Sequence, residues 1–246
     1  MSDSRLPDLV AKFQLGGATA VFTGRNGGNS NGPFTNFNLG GHVGDDPTSV
    51  RSNRELLARS IGLSRQVGMS QVHGTDVVEL RAEVDCSIES WGESVGEADA
   101  LITTQPNCGL VALAADCVPI ALGTADAVAV VHAGWRGLSG GVIENAVAAL
   151  SATSSNPIAA AVGPCAGRCC YEVSAEVLKA FNPPAESAGR MLDLAATSEA
   201  RLRAAGVNVV HRLSICTICD AEERFFSHRR DGVPTGRQAV IAWLNS

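Results

Sequence analysis

Two histidines and one cysteine are the side chains of this chain best suited to hold a metal ion. His73 stands in the segment QVHG, Cys117 in ADCVPI and His132 in HAGWRG. One thiolate and two imidazoles suit zinc, and three protein ligands leave a fourth position open, as in catalytic sites. Each residue alone is also typical of a small buried thiol or a hydrogen-bonded histidine. Their shared setting, beside glycine, aspartate or proline at strand ends, favours one common site.

Such a site requires strands that end at the same edge of a sheet, where active sites collect. Apolar runs predict strands over 18–22, 67–72, 76–80, 100–104, 110–115, 118–122, 127–131, 158–162, 207–213 and 238–244. Helical patterns cover 48–61, 142–150 (beginning near Ser139), 176–181 and 193–205. The glycine-rich stretch 24–41 predicts a long loop. Helices and strands alternate irregularly, so we expect a single α/β domain of mixed layers over 1–246 rather than a regular βαβ repeat.

The composition and charge of the chain argue against some classes of binding partner. The 246 residues carry a net charge of −6, which argues against nucleic acid as the main partner. No apolar run approaches the length that spans a bilayer, and the first residues lack the basic and apolar regions of a signal peptide. We therefore expect a cytoplasmic protein with no membrane partner. Nothing in the sequence indicates an obligate protein partner.

A second group of cysteines has no assigned chemistry. Cys165, Cys169 and Cys170 lie close together, and Cys216 and Cys219 form a C-x-x-C pair. The two groups together could make a structural four-cysteine zinc site or a redox pair. Reduced cysteines packed near one another is the interpretation that the sequence favours.

Arginine supplies most of the positive charge, since only Lys12 and Lys179 are lysines. A guanidinium group is well shaped for binding phosphate or carboxylate through two hydrogen bonds. Single arginines are usually surface or ion-paired residues. As a set in turn-rich segments, they could form an anion pocket without a Walker loop, which this sequence lacks.

Several motifs together resemble the YfiH-type polyphenol oxidase and purine nucleoside phosphorylase family, formerly called multicopper laccase-like. They occur in the family's order over nearly the whole chain: NLGGHVGDDP, QVHG, ADCVPI, HAGWRG, GPCAGRCCYEV, FFSHRRDG and TGRQ. The resemblance implies an α/β fold similar to cytotoxic-necrotizing-factor-type cysteine hydrolases. It also implies that Cys117, His73 and His132 bind zinc, with copper as an alternative, and act in catalysis.

The resemblance further implies purine nucleosides and phosphate as substrates. Family members are described as phosphorylases of adenosine, inosine or methylthioadenosine, and as adenosine deaminases. By the same resemblance, the predicted substrate-binding residues are Asn38, Arg54, Arg136 and Arg230. The proton source for the departing purine stays open between Asp116 and Asp231.

Three other functions stay open. The chain could be a cysteine hydrolase or amidase acting on a peptidoglycan precursor, a copper-dependent polyphenol oxidase, or a nucleotide-binding module without turnover. Five histidines are too few for the trinuclear cluster of a multicopper oxidase, so we disfavour that chemistry.

Overall fold

A computed structural model describes residues 6–80 and 91–246. The strands are β1 (Leu9–Leu15), β2 (Ala18–Thr23), β3 (Gln66–Val67), β4 (Met69–Ser70), β5 (Val77–Glu79), β6 (Gly92–Glu97), β7 (Ala100–Thr103), β8 (Gly109–Ala114), β9 (Val118–Gly123), β10 (Val128–Ala133), β11 (Ala159–Val162), β12 (Ser187–Ala188), β13 (Met191–Leu192), β14 (Val209–Arg212) and β15 (Gln238–Leu244). The helices are α1 (Pro47–Ile61), α2 (Trp135–Gly140), α3 (Val142–Thr153), α4 (Ala175–Lys179), α5 (Leu194–Ala204) and α6 (His228–Asp231).

Two sheets pack face to face between two layers of helix. The first sheet has the order β1-β2-β15-β8-β3, and the second has the order β14-β11-β9-β10-β7-β5. Helix α1 covers the outer face of the first sheet, and α3 and α5 cover the outer face of the second. The small pairs β12-β13 and β4-β6 stand apart from these sheets. The predicted class, a single domain of mixed α/β layers, is confirmed.

Along the central strands, successive side chains pack alternately on the two faces of the first sheet. In β2, Ala20 and Phe22 pack into the core between the sheets, whereas Val21 packs on the side of α1. In β15, Val240 likewise packs into the core between the sheets, and Ile241 packs on the side of α1. Because both faces are covered, these strands are apolar at nearly every position, which is why short apolar runs located them in the sequence.

Most predicted elements are confirmed within one to three residues, and the differences have physical causes. The run 67–72 is two short strands rather than one, since β3 pairs with β8 while β4 pairs with β6. The helix expected to begin near Ser139 is instead α2 followed by α3, separated at Gly141, whose φ of 98° breaks the helix. Strand β1 was not predicted, because its half-exposed residues show no clear apolar run.

The connection from β8 to β9 is one of those that link the two sheets. Strand β8 belongs to the first sheet and β9 to the second, so residues 115–117 carry the chain from one to the other. Asp116 adopts a φ of 87° in this link, an uncommon conformation for a residue other than glycine. Cys117 therefore lies at the junction of the sheets. Among residues 6–80 and 91–246, no helix is long and apolar enough to cross a membrane.

Candidate metal centre and its cavity

The three predicted ligands lie together in the folded chain. The ligand atoms of His73, Cys117 and His132 are all within 4.8 Å of one another. The Cys117 Sγ atom lies 3.7 Å from His73 Nε2. The two imidazole rings are edge to face, with centroids 4.8 Å apart. Segments distant in sequence therefore converge at one point.

Strand pairing positions two of the three residues. His132 lies inside β10, whereas the sequence placed it just after a strand. The antiparallel register sets His132 opposite Pro119 and Ala133 opposite Val118. The end of β10 thus lies beside the start of β9, which brings His132 next to Cys117.

A carboxylate that the sequence analysis missed organises both histidines. The fully buried Asp99 accepts a hydrogen bond from His132 Nδ1 at 2.7 Å. It also accepts hydrogen bonds from the backbone N–H groups of Val72, His73 and Gly74. Because Asp99 occupies Nδ1 of His132, the other ring nitrogen, Nε2, is left for a metal. The only sequence signal for a role of Asp99 is that it is an acidic residue directly before the buried strand β7.

A glycine makes room for the site. A Cβ atom at Gly134 would lie 2.6 Å from His73 Cδ2 and 3.1 Å from Cys117 Sγ. His73 itself has a φ of 61°, which is a left-handed conformation. The hydrogen bonds that Asp99 accepts from three successive backbone N–H groups, including that of His73, support this conformation. Of the glycines that flank the motifs, Gly134 therefore has a steric role: it leaves room for His73 and Cys117.

The charges of the site are strongly coupled. Burial raises the pKa of Cys117, but the positive charge of His132 and hydrogen bonds from both histidines lower it to about 6. Burial lowers the pKa of His132, but the Cys117 thiolate and the Asp99 hydrogen bond raise it to about 9. Burial raises the pKa of Asp99, but the hydrogen bond from His132, the charge of His132 and the backbone hydrogen bonds of Gly74 and Val72 together hold that pKa below its usual range. Without a metal, the site is thus a thiolate beside an imidazolium.

The donor set fits a zinc ion. Bond lengths of about 2.0–2.1 Å to nitrogen and about 2.3 Å to sulfur place the ligand atoms of a tetrahedral site roughly 3.5 Å apart, close to the observed separation of Cys117 and His73. The carboxylate behind His132 is the outer partner that metal-bound histidines usually have. His73, Cys117 and His132 would hold the ion, and copper would suit the same ligands.

The candidate metal centre opens into a large cavity. Its volume is about 1090 Å³, just above the usual range of about 300–1,000 Å³ for small-molecule sites. The three candidate ligands line it together with the arginines at positions 51, 54, 136, 229 and 237. Burial, together with the charges of Arg237 and Arg54, lowers the pKa of His42 in the same cavity. The part of the cavity wall that these arginines form is therefore electropositive and suited to binding an anion.

The structure brings some of the predicted substrate-binding residues to the cavity and not others. Arg54 lines it, with its guanidinium bonded to the Leu39 carbonyl and stacked over Trp91 at 4.4 Å. Arg136 also lines it and stacks over its neighbour Trp135 at 4.6 Å.

Asn38 and Arg230 do not line the cavity. The fully buried Asn38 uses its amide to bond Gly40, Asp45 and Arg237, which fixes the loop after residue 38. Arg230 donates hydrogen bonds to Asp231 and to backbone carbonyls. Both residues therefore support the walls of the cavity from behind.

Three arginines that line the cavity, Arg51, Arg229 and Arg237, are not among the predicted substrate-binding residues. Arg229 stacks over Tyr171 at 4.9 Å, and its backbone N–H donates to Asp116 Oδ2 at 2.7 Å. Arg237 donates to the carbonyls of Thr235 and Gly236. The motif FFSHRRDG contains two adjacent arginines, and only the tertiary structure distinguishes the one that reaches the cavity.

Comparison with known proteins identifies the family. Residues 19–245 match the family described as multi-copper polyphenol oxidoreductase laccase. The chain belongs to this family. The laccase-type family includes a relative from Streptomyces coelicolor named purine nucleoside phosphorylase, 40% identical over 94% of this chain and 97% of its own. A relative from Corynebacterium glutamicum with the same name is 39% identical over 91% and 93%.

A solved structure of the laccase-type family has the same fold. The crystal structure of YlmD from Geobacillus stearothermophilus superposes with a TM-score of 0.86 at 34% identity, covering 94% of this chain and 93% of that one. The structure of YfiH from Bacillus licheniformis gives a TM-score of 0.85 at 30% identity, with 92% of each chain covered. The resemblance drawn from the sequence motifs is confirmed.

Proposed function

We propose that the protein is a metal-dependent purine nucleoside phosphorylase whose active site is the cavity around His73, Cys117 and His132. The observation that carries this proposal is that one cavity contains both a three-ligand metal set and several guanidinium groups. Relatives named purine nucleoside phosphorylase, similar over at least 91% of this chain, support it. The substrates would be adenosine, inosine or methylthioadenosine with phosphate.

Phosphorolysis sets clear demands on the site. A phosphate oxygen forms a bond to ribose C1′ while the bond from C1′ to the purine nitrogen breaks, and the purine leaves with the electron pair and gains a proton. The products are the free base and ribose 1-phosphate, or 5-methylthioribose 1-phosphate when the substrate is methylthioadenosine. The site must hold a phosphate anion beside C1′, which guanidinium groups do well.

Arg136 is the arginine that we assign to phosphate. Its guanidinium lines the cavity and stacks over Trp135, and it forms no ion pair with any other residue of the ranges 6–80 and 91–246. In contrast, Arg54 and Arg237 are bonded to backbone carbonyls of the cavity wall. Arg136 can therefore turn to an anion without breaking a bond that holds the fold.

Of the two carboxylates considered as proton sources, Asp116 lines the cavity. Its oxygens accept hydrogen bonds from Thr217 Oγ1 and from the backbone of Arg229. Asp231 is instead bonded to Arg230 and Ser227 and lies outside the cavity lining. We therefore favour Asp116 as the group that exchanges a proton with the purine.

Zinc is the metal that we propose for the site. When bound, it would supply Lewis acidity at the open fourth position. The contribution of the chain is to hold His132 through Asp99 and to surround the position with a partly enclosed cavity. The same arrangement supports adenosine deamination, in which water replaces the purine amino group and ammonia is released.

A cysteine hydrolase is the second candidate, and one observation favours it. Cys117, His132 and Asp99 form a chain of contacts in which the thiol has a pKa of about 6 and the histidine is oriented by a carboxylate. This is the arrangement of nucleophile, base and orienting group in cysteine hydrolases. The predicted likeness of the fold to cytotoxic-necrotizing-factor-type hydrolases goes with it. A metal-bound thiolate is a poor nucleophile, so the metal content of the Cys117 site separates the two candidates.

Multicopper oxidation has less support, despite the family's description. Of the remaining histidines, His211 stacks on Phe13 rather than lining the cavity. His42 and His228 do line it, but they join no group of three metal-binding side chains among residues 6–80 and 91–246. A trinuclear copper cluster needs more imidazoles than this.

Product analysis tests the proposal. Zinc-loaded protein is incubated with adenosine or inosine, with and without phosphate, and the products are identified by mass spectrometry. We expect free base and ribose 1-phosphate only with phosphate, and loss of turnover in Cys117→Ala. Cys108→Ala, which alters a buried cysteine outside the cavity, is the matched control. Zinc-loaded protein that releases no base under these conditions would overturn the proposal.

A further inference from the structure

Four cysteines outside the cavity form a second cluster of metal-binding side chains. The Sγ atoms of Cys169, Cys170, Cys216 and Cys219 all lie within 4.8 Å of one another. Those of Cys169 and Cys219 are 3.4 Å apart. None of the four lines the cavity around Cys117. The two cysteine groups that the sequence left unassigned are thus brought together by the fold.

Backbone pairing aligns the two loops that carry the cluster. Cys165 and Cys216 form a parallel β-bridge, with hydrogen bonds from Cys165 N to the Ile215 carbonyl and from Thr217 N to the Cys165 carbonyl. Gly167 allows the close approach, since a Cβ atom there would lie 3.0 Å from Cys216 Cβ and 3.4 Å from Cys169 Sγ. The convergence therefore follows from defined contacts between the loops.

The geometry suits one tetrahedral ion bound by four thiolates. Zinc–sulfur bonds of about 2.3 Å place the sulfur atoms of such a site roughly 3.8 Å apart. The observed separations, from 3.4 Å to at most 4.8 Å, bracket this value. A disulfide requires sulfur atoms about 2.05 Å apart, which the closest pair does not approach.

The environment of Cys216 is that of a metal-bound thiolate. Its Sγ atom accepts a hydrogen bond from the backbone N–H of Gly167 at 3.2 Å. Hydrogen bonds to the coordinating atom tune and orient a ligand in metal sites. The C-x-x-C spacing of Cys216 and Cys219 is the spacing found in structural zinc sites. A set of four soft sulfur donors selects zinc over magnesium or calcium.

The cluster is connected to the wall of the cavity. Thr217 lies between two of the cysteines, and its hydroxyl donates to Asp116 Oδ1 at 2.6 Å, next to Cys117. Tyr171 follows Cys170 directly and lines the cavity. An ion bound by the cluster would therefore hold together two loops that carry or support cavity residues.

We propose that Cys169, Cys170, Cys216 and Cys219 form a structural zinc site that clamps these two loops and fixes the wall of the cavity beside Cys117. This proposal does not depend on phosphorolysis, because it concerns a separate set of ligands. It predicts a second zinc ion per chain that is retained when the site around Cys117 is destroyed.

Metal analysis with ligand variants tests the proposal. In Cys117→Ala with His73→Ala, we expect about one zinc per chain to persist, and its loss when Cys219→Ser is added. With cobalt replacing zinc, the same background should show the absorption of a tetrahedral all-thiolate site, again lost with Cys219→Ser. Cys108→Ala added to the same background is the matched control and should keep the metal. Absence of bound metal from the Cys117 and His73 double variant would overturn the proposal.

Thiol labelling of the wild-type chain keeps the test independent of whether the Cys219 variant folds. Cys169 and Cys219 are exposed, so as free thiols they should react quickly with iodoacetamide. We expect peptide mapping to show protection of these residues that is removed by a chelator. Rapid labelling before chelation, or a disulfide between them in protein purified without reductant, would refute a zinc site.

Discussion

Asp99 is the residue whose replacement tests the architecture of the metal centre most directly. Its Oδ1 atom accepts from His132 Nδ1 and from the His73 backbone, while Oδ2 accepts from the backbone of Val72 and Gly74. Asp99→Asn replaces one oxygen with an amide that donates. Whichever way the amide turns, the two N–H groups on one side lose their acceptor.

The size of the effect follows from these bonds. An outer partner of a metal-bound histidine typically contributes about 10–100-fold to metal affinity, or about 1.4–2.8 kcal/mol. Each buried donor left unsatisfied costs about 1–3 kcal/mol. We therefore expect Asp99→Asn to weaken zinc binding about 10–100-fold and to lower the free energy of unfolding of the metal-free protein by about 2 kcal/mol or more.

Two measurements check this prediction. Zinc affinity is measured by competition with a chromophoric chelator, and stability by urea unfolding in the presence of a strong chelator. Asp76→Asn is the matched control, since its exposed side chain is near β5 and its contact with Asp99 is through the backbone carbonyl. Wild-type zinc affinity and stability in Asp99→Asn would refute the role assigned to Asp99.

The pH dependence of stability offers a further check on the same carboxylate. Because the pKa of Asp99 is below its ordinary value in the fold, its stabilisation is fully present above about pH 4 and is lost as the pH falls through the folded value. Unfolding of the metal-free protein should show this acid-side loss. Asp99→Asn should show less of it, and an unchanged profile would contradict the assignment.

Three other predictions concern the cavity. In metal-free protein, alkylation of Cys117 by iodoacetamide should accelerate as the pH rises through about 6, because the thiolate is the nucleophile; a midpoint near that of a free thiol would contradict the coupled charges. Arg136→Ala should raise the KM for phosphate about 10-fold or more, since charge-assisted hydrogen bonds contribute about 1.5–3 kcal/mol. The surface variant Arg59→Ala should leave this KM unchanged, and equal values in the two variants would remove Arg136 from the phosphate site. Gly134→Ala should abolish zinc binding at the His73, Cys117 and His132 site with the fold retained by circular dichroism, because the new methyl group would displace His73; a zinc content equal to that of the wild type would refute this steric argument.

The metal and thiolate states of Cys117 connect the two candidate functions. In the proposed phosphorylase, the thiolate is a zinc ligand and the arginines of the cavity hold phosphate. Without metal, the same thiolate beside the imidazolium of His132 is a reactive nucleophile. The metal content of the Cys117 site, taken as the zinc that Cys117→Ala loses, therefore decides together with activity which chemistry the site performs.

The sequence alone was sufficient to select three side chains that the fold brings together and to predict much of the fold. Strands such as β9 and β15 are buried on both faces and so appear as uninterrupted apolar runs. The two histidines and Cys117 stand out because their residue types are uncommon in this chain and lie in glycine-rich motifs. These signals are local, so they can be read without knowing which segments meet.

Contacts between distant segments were decided only by the tertiary structure. Asp99 carries no motif, and its role arises because the chain ahead of β7 packs against the turn after β4 and against β10. Asn38 and Arg230 belong to recognisable motifs, yet their polar atoms bond within the cavity walls. The four-cysteine cluster likewise exists because a β-bridge pairs two loops far apart in sequence. Residue type and spacing indicate which chemistry a side chain can perform, whereas its partners depend on packing that local patterns do not encode.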